Sequence, residues 1–142
     1  MSKKHFLAAM YLRLSRDDSD VGDVTDRDGR LKSESNSIGN QRELIRAFID
    51  GQQEIELHDS YVDDGFSGSN FDRPEFKRMI GDIEAGKVNC VIVKDLSRFG
   101  RDYIESGRYI QKIFPALSVR FIALTDHYDS LHADAGESGI VL

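Results

Sequence analysis

Ser15 stands two residues after Arg13 in the run Met10-Tyr11-Leu12-Arg13-Leu14-Ser15, and the chain later supplies Leu96-Ser97-Arg98-Phe99-Gly100-Arg101-Asp102. A hydroxyl flanked by arginines from separate stretches is equipped to attack a phosphate diester. The oxygen becomes the nucleophile, and the guanidiniums hold the anion and take up the charge that grows on it. On a strand, residues i and i+2 share a face about 6.5 Å apart, so Tyr11, Arg13 and Ser15 point one way and Leu12 and Leu14 the other. The same residues also suit a plainer arrangement, with Arg13 paired to a nearby aspartate and Ser15 capping a turn.

Arg98 and Arg101, at i and i+3, are expected on one helical face, with Glu105, Arg108 and Lys112 continuing the stripe. The planar fork of arginine binds phosphate through two parallel hydrogen bonds and stays charged. A solvated face of ion pairs has the same pattern, and Arg108 and Lys112 fit that description. The glycine- and serine-rich stretch 63–72 leads into Arg73, at the head of the next helix, and such a loop can close on a substrate phosphate. It lacks the Gly-Lys-Ser/Thr ending of a P-loop, so ATP binding is not indicated. Gln41 and Arg42 lie in the first turns of a helix and can offer an amide and a guanidinium to the same anion.

Alternating elements must position these groups. Residues 5–14 are apolar and read as a first strand, and 17–36 as a long polar loop. Residues 37–50 read as a helix, with Ile38, Ile45, Phe48 and Ile49 on one side and Gly51 past its end. A second strand is expected over 54–62, and a loop over 63–72. Asp72-Arg73-Pro74-Glu75 then resembles a capping box with proline in the first turn. That helix carries Phe76, Met79, Ile80 and Ile83, and Gly86 ends it. Residues 88–93 form a nearly continuous apolar run, as a strand buried on both faces requires. Leu96, Phe99, Tyr103, Ile110, Phe114 and Leu117 predict one helix over 96–114, stopped by Pro115. A fourth strand is expected over 118–125, followed by loop. The order implies an α/β fold, with a mostly parallel sheet of about four to five strands flanked by helices on both faces. Functional groups in such folds gather at the carboxyl ends of strands, where Ser15, Asp63, Lys94 and Asp95 fall.

A length of 142 residues suits one domain with a single core. Hydrophobic residues make up 39% and charged residues 31%, a globular balance. No apolar run approaches the length of a membrane span. The start, Met1-Ser2-Lys3-Lys4-His5, has no leader-like apolar stretch, so a cytoplasmic protein is expected. Cys90 is the sole cysteine and lies in an apolar run, which suits a buried, inert thiol. The four histidines show no zinc-ligand spacing, and the aspartates between 17 and 28 do not match a calcium loop; no metal or other cofactor is expected. The net charge of −6 argues at first against a nucleic-acid partner. Its distribution changes that reading: Asp17 to Asp28 holds six Asp and one Arg, whereas Lys94 to Arg120 holds six basic and three acidic residues. A local positive surface is compatible with an acidic domain, but strong duplex affinity must come mostly from elsewhere.

Taken in order, these pieces resemble the catalytic domain of serine recombinases, the resolvase/invertase family. The matching runs are Tyr11-Leu12-Arg13-Leu14-Ser15, Gln41-Arg42, Tyr61-Val62-Asp63-Asp64-Gly65-Phe66-Ser67-Gly68, Asp72-Arg73-Pro74-Glu75-Phe76 and Val93-Lys94-Asp95-Leu96-Ser97-Arg98-Phe99-Gly100-Arg101-Asp102. The long loop before Gln41 and the Arg-Pro-Glu-Phe run suggest the large serine recombinase or transposon-resolvase branch. The resemblance implies a resolvase-like three-layer fold. It makes Ser15 the nucleophile, Arg13, Arg73, Arg98 and Arg101 the phosphate-binding arginines, and Asp63 and Gln41 supporting residues. It implies site-specific DNA cleavage through a 5′-phosphoserine link, then strand exchange within a tetramer of subunits that also form dimers, and religation without metal or ATP. Double-stranded DNA at a recombination site is the expected partner.

Two departures from the family pattern stand out. Ser97 replaces an Asp common beside the first arginine, which leaves the general acid or base unassigned. Residues 1–142 are also expected to be an N-terminal catalytic fragment, because the family's linking helix and DNA-binding region would follow. A non-enzymatic α/β module that binds an anion or a partner is the alternative, and a serine phosphatase-like hydrolase a more distant one.

Overall fold

The computed structural model describes residues 5–14, 36–64, 73–100 and 102–132. Strand β1 (Phe6–Leu14) pairs in parallel with β2 (Ile55–Asp64) on one side and β3 (Cys90–Val93) on the other. Covered on both edges and both faces, it is buried from Ala8 to Leu14, which is why its sequence is almost uninterruptedly apolar. β3 pairs in parallel with β4 (Arg120–Ala123), and β4 pairs antiparallel with β5 (Tyr128–Asp129), giving the order β2-β1-β3-β4-β5.

Helix α1 (Asn36–Asp50) sends Ile38, Ile45 and Ile49 into a core with Met10, Leu12, Leu14, Ile92 and Ile122. Helix α2 (Pro74–Glu84) sends Phe76, Met79 and Ile83 into a separate core with Tyr11, Val91, Val93 and Phe121. Alternate residues of β1 feed the two cores, so α1 and α2 lie on opposite faces and the domain has three layers. The strand order reverses beside β1. In sheets of this kind the crevice outside the carboxyl ends of the strands, at that reversal, is where ligands bind.

The expected α/β class and the parallel centre agree with the structure, and four local expectations do not. First, β2 runs on through Asp63 and Asp64, which read as loop, because their backbone continues the parallel register opposite Arg13 and Leu14. Second, the N-cap position of α2 is Arg73, which makes no side-chain cap bond, and Asp72, expected in a capping box, lies outside the described residues. Third, the single helix expected over 96–114 is broken. Helix α3 (Leu96–Phe99) stops at Gly100, and Asp102 starts α4 (Tyr103–Arg108) by accepting from the N–H groups of Ile104 and Glu105. The continuous stripe from Arg98 to Lys112 therefore does not exist, and Tyr103, expected in the apolar stripe, is 67% exposed. A π-helical turn (Tyr109–Ile113) leads from α4 to the short helix α5 (Phe114–Ala116). Pro115 has no N–H for the ladder, and the turn before it widens so that Phe114 donates to Tyr109. Fourth, β5 lies in the stretch read as loop, since two residues carry no periodic signal.

Four residues cannot sustain a helix by themselves, so α3 needs tertiary support. Phe99 supplies it. Fully buried, it meets Phe76, Tyr109, Phe114 and Phe121 with ring centroids 5.7, 6.1, 5.9 and 5.0 Å away, all near edge-to-face. Asp95 caps the same turn through the Arg98 N–H at 2.9 Å, and Asp126 accepts from the Leu96 N–H at 2.8 Å. Cys90 is buried as expected, and burial pushes its thiol up to about 12, which removes the reactive thiolate at neutral pH.

Candidate active site

The side chains singled out in the sequence come from four elements, and those described meet at the carboxyl end of the sheet beside β1 and β3. Arg13, near the end of β1, donates from Nη2 to the carbonyl of Ser97 at 2.8 Å and from Nε to that of Arg98 at 3.1 Å. Arg73, at the head of α2, donates from Nη2 to the carbonyl of Phe99 at 3.0 Å. Two guanidiniums from distant stretches thus hold three successive carbonyls of α3, the turn that carries Arg98. Both arginines are fully buried, whereas Arg98 is partly exposed. Carbonyl oxygens are what a buried guanidinium requires, because its donors lose water on burial and must find acceptors.

Gln41 comes from the first turns of α1 and spends its amide on the main chain of β1. Its Oε1 accepts from the Arg13 N–H at 3.3 Å, and its Nε2 donates to the Arg13 carbonyl at 3.0 Å and to Ser37 Oγ at 3.3 Å. The residue is buried and fixes the strand end from the opposite layer. Its neighbour Arg42 turns elsewhere, donating to Ser60 Oγ on β2 at 3.0 Å.

Asp63, at the end of β2, is buried and accepts three hydrogen bonds. Oδ1 takes the Glu75 N–H at 3.0 Å, and Oδ2 takes the Phe76 N–H and the Tyr11 hydroxyl, each at 2.9 Å. The carboxylate thereby caps α2 from a neighbouring strand, where the favourable end of the helix dipole adds to the hydrogen bonds. The Tyr11 hydroxyl in turn accepts from Arg73 Nη1 at 2.8 Å. Burial pushes the Tyr11 phenol well above its usual range; the Arg73 guanidinium opposes this and the Asp63 carboxylate reinforces it. The phenol therefore stays protonated and keeps donating to Asp63.

Of the residues expected at the site, Arg13, Arg73, Arg98, Asp63 and Gln41 are brought together. Ser15 and Arg101 lie outside the described residues, as do most of the long acidic loop and the glycine-rich loop. One contributor escapes the sequence reading: Tyr11, which shares the face of Arg13 and whose i, i+2 spacing is the available signal. Asp95, expected at a strand end, has a specific task. Asp95 accepts from Ser97 Oγ at 2.8 Å as well as from the Arg98 N–H. A carboxylate thus stands beside Ser97, the position expected to carry an Asp in many members of the resembled family, and the folded turn supplies the hydrogen bond between them.

The family described as Resolvase, N terminal domain matches residues 8–138. No curated protein matches the chain. Among solved structures, the N-terminal catalytic domain of TP901-1 integrase is 25% identical with a TM-score of 0.71, covering 92% of this chain and 85% of that one. A resolvase family site-specific recombinase from Streptococcus pneumoniae is 27% identical with a TM-score of 0.68, covering 94% and 81%. The C-terminal catalytic domain of ISC1926 TnpA, an IS607-like serine recombinase, shares the fold at 18% identity and a TM-score of 0.59, covering 82% and 68%.

Proposed function

We propose that this chain, which belongs to the resolvase N-terminal domain family, cleaves and rejoins DNA through a covalent phosphoserine intermediate. The supporting observation is the convergence of Arg13 and Arg73 on the three carbonyls around Arg98, at the strand end that leads directly into Ser15. In this reading the Ser15 oxygen attacks a backbone phosphorus. A bond forms between that oxygen and phosphorus, and the bond from phosphorus to the 3′ oxygen breaks. The serine proton is lost, the departing oxygen gains one, and the products are a 5′-phosphoserine link and a free 3′-hydroxyl. One phosphodiester replaces another, so the link stores the energy for religation and ATP is not needed. The 3′-hydroxyl of the exchanged strand reverses the step and frees the serine.

Arg98 and Arg101 meet the phosphate and take up the charge that develops on its oxygens. Arg13 and Arg73 hold the turn that carries Arg98, and their buried positive charges favour the same anion in a medium that screens poorly. Arginine charge thus does the work a metal cation does in other nucleases, so cleavage proceeds without one. Asp63 and Gln41 fix the elements on which the arginines stand. Recognition of a specific duplex and assembly into dimers and tetramers belong to the full-length protein, in which residues 1–142 serve as the catalytic domain. A net charge of −6 suits a domain that leaves most phosphate neutralisation to another region.

The test is denaturing electrophoresis of the full-length protein with labelled recombination-site DNA. The protein should form a covalent band, and Ser15→Ala should abolish it. A Ser15→Ala protein that still forms the adduct ends the proposal.

A further inference from the structure

The loop between β4 and β5 lies against the segment that leads into α3. The Leu124 N–H donates to the Val93 carbonyl at 3.1 Å. The Thr125 N–H and hydroxyl both donate to the Lys94 carbonyl, at 2.8 and 3.1 Å. Asp126 then reaches across to α3, thirty positions earlier in the chain, where its Oδ2 accepts from the Leu96 N–H at 2.8 Å. His127 ends the loop with φ at 54°, in the left-handed region that is uncommon outside glycine, and its N–H closes the loop on the Leu124 carbonyl at 3.1 Å. A non-glycine residue keeps such a conformation only where the surrounding contacts over-determine it. Asp126 itself is exposed, so its side chain adds little to the core.

We propose that Asp126 is a positioning residue for DNA cleavage, whose carboxylate pins the amino end of α3 and so keeps Arg98 aimed at the phosphate. The inference rests on the recombinase reading above. A helix of four residues cannot hold its own direction, so the contacts at its two ends set it. Arg13 and Arg73 grip the carbonyls of Ser97, Arg98 and Phe99. Asp95 satisfies the Arg98 N–H from within the same segment, and it moves with the turn. Asp126 is the hold on the first N–H that comes from another element. Without it the turn pivots about its carbonyl grip, and Arg98, two residues past Leu96, swings with it. Stabilisation by arranged charges depends on geometry held before the reaction begins, so a small swing slows the chemical step.

The experiment uses the full-length protein and labelled recombination-site DNA, with Asp126→Ala, Asp126→Asn and Asp129→Asn. The rate of covalent adduct formation at saturating DNA is read alongside the half-saturating DNA concentration and the melting temperature. Asp126→Ala should slow adduct formation by about 5- to 10-fold, with half-saturation within about twofold of wild type. Asp126→Asn keeps an oxygen for the Leu96 N–H and should stay within about twofold of the wild-type rate. Asp129→Asn breaks the clasp to Arg120 on the same hairpin without touching α3. Below its melting temperature it should cleave within about twofold of wild type, which separates positioning from general loss of stability. Should Asp126→Ala not fold, Asp126→Glu takes its place with the same expectation, because its carboxylate stands one methylene too far out. Cleavage at the wild-type rate by the folded variant overturns the proposal. So does Asp126→Asn as slow as Asp126→Ala, or Asp129→Asn slowed as much as either. Absence of an adduct from the unmodified protein strikes the recombinase reading instead, so the two failures are distinguishable.

Discussion

Asp63 shows how one carboxylate serves both fold and site. Its oxygens take two main-chain N–H groups of α2 and the Tyr11 hydroxyl; the bonds to Phe76 and Tyr11 are buried and that to Glu75 partly so. Asp63→Ala would leave two buried donors and one partly buried donor without that acceptor, and each unsatisfied buried group costs more than a hydrogen bond gains. A loss of about 3 kcal/mol is expected, measured by denaturant unfolding. A loss under about 1 kcal/mol would mean that water replaces the carboxylate. The residue types at the site were legible in the sequence because hydroxyl, guanidinium and carboxylate chemistry is carried by identity alone. Their partners were not. Nothing local in the chain told that Arg13 would meet the carbonyls of residues 97 and 98, more than eighty positions away.

Among elements, strands β1 to β4 and α1 were readable because burial writes apolar runs or a periodic pattern into them. The break after α3 was not, since Leu96, Phe99, Tyr103 and Ile110 fit helical spacing whether or not the helix is continuous. Gly100 and Asp102 were the local hints, and the aromatic cluster around Phe99 decides where the turn sits. The clasp between β4 and β5 makes a sharper test. Arg120 donates from Nε and Nη2 to Asp129 at 3.0 and 2.6 Å, and Glu54 lies 3.6 Å from its Nη1. Burial on its own would raise the Asp129 pKa, but the hydrogen bonds from Arg120 and the Leu131 N–H outweigh it and hold the carboxyl below its usual value. A depressed carboxylate pKa contributes stability that is complete above the unfolded value of about 3.9 and is lost as pH falls through the folded one. Asp129→Asn should therefore lower stability at neutral pH by about 2 kcal/mol, less than the usual cost of orphaning a buried cation because Glu54 remains. It should also flatten the acid limb of the unfolding profile. An acid limb identical to wild type would place the titrating group elsewhere.

For the whole molecule, charge governs what the domain does alone. With a net charge of −6, residues 1–142 should bind duplex DNA no tighter than about 10⁻⁴ M at physiological salt, read by fluorescence anisotropy. Micromolar binding would mean that the basic stretch around Arg98 forms a far stronger positive surface than the composition suggests. No described helix is long and apolar enough to cross a membrane. The sequence by itself determined the α/β class, the strand that had to be central and the kinds of groups at the site, because hydrophobic periodicity and side-chain chemistry are local properties. The tertiary structure alone decided that Arg13 and Arg73 grip one four-residue turn, that Asp63 caps a helix on another element, and that Tyr11 joins them. Those are contacts between segments far apart in the chain. Their geometry is set by sheet register and by how two cores pack against β1, which no window of sequence contains.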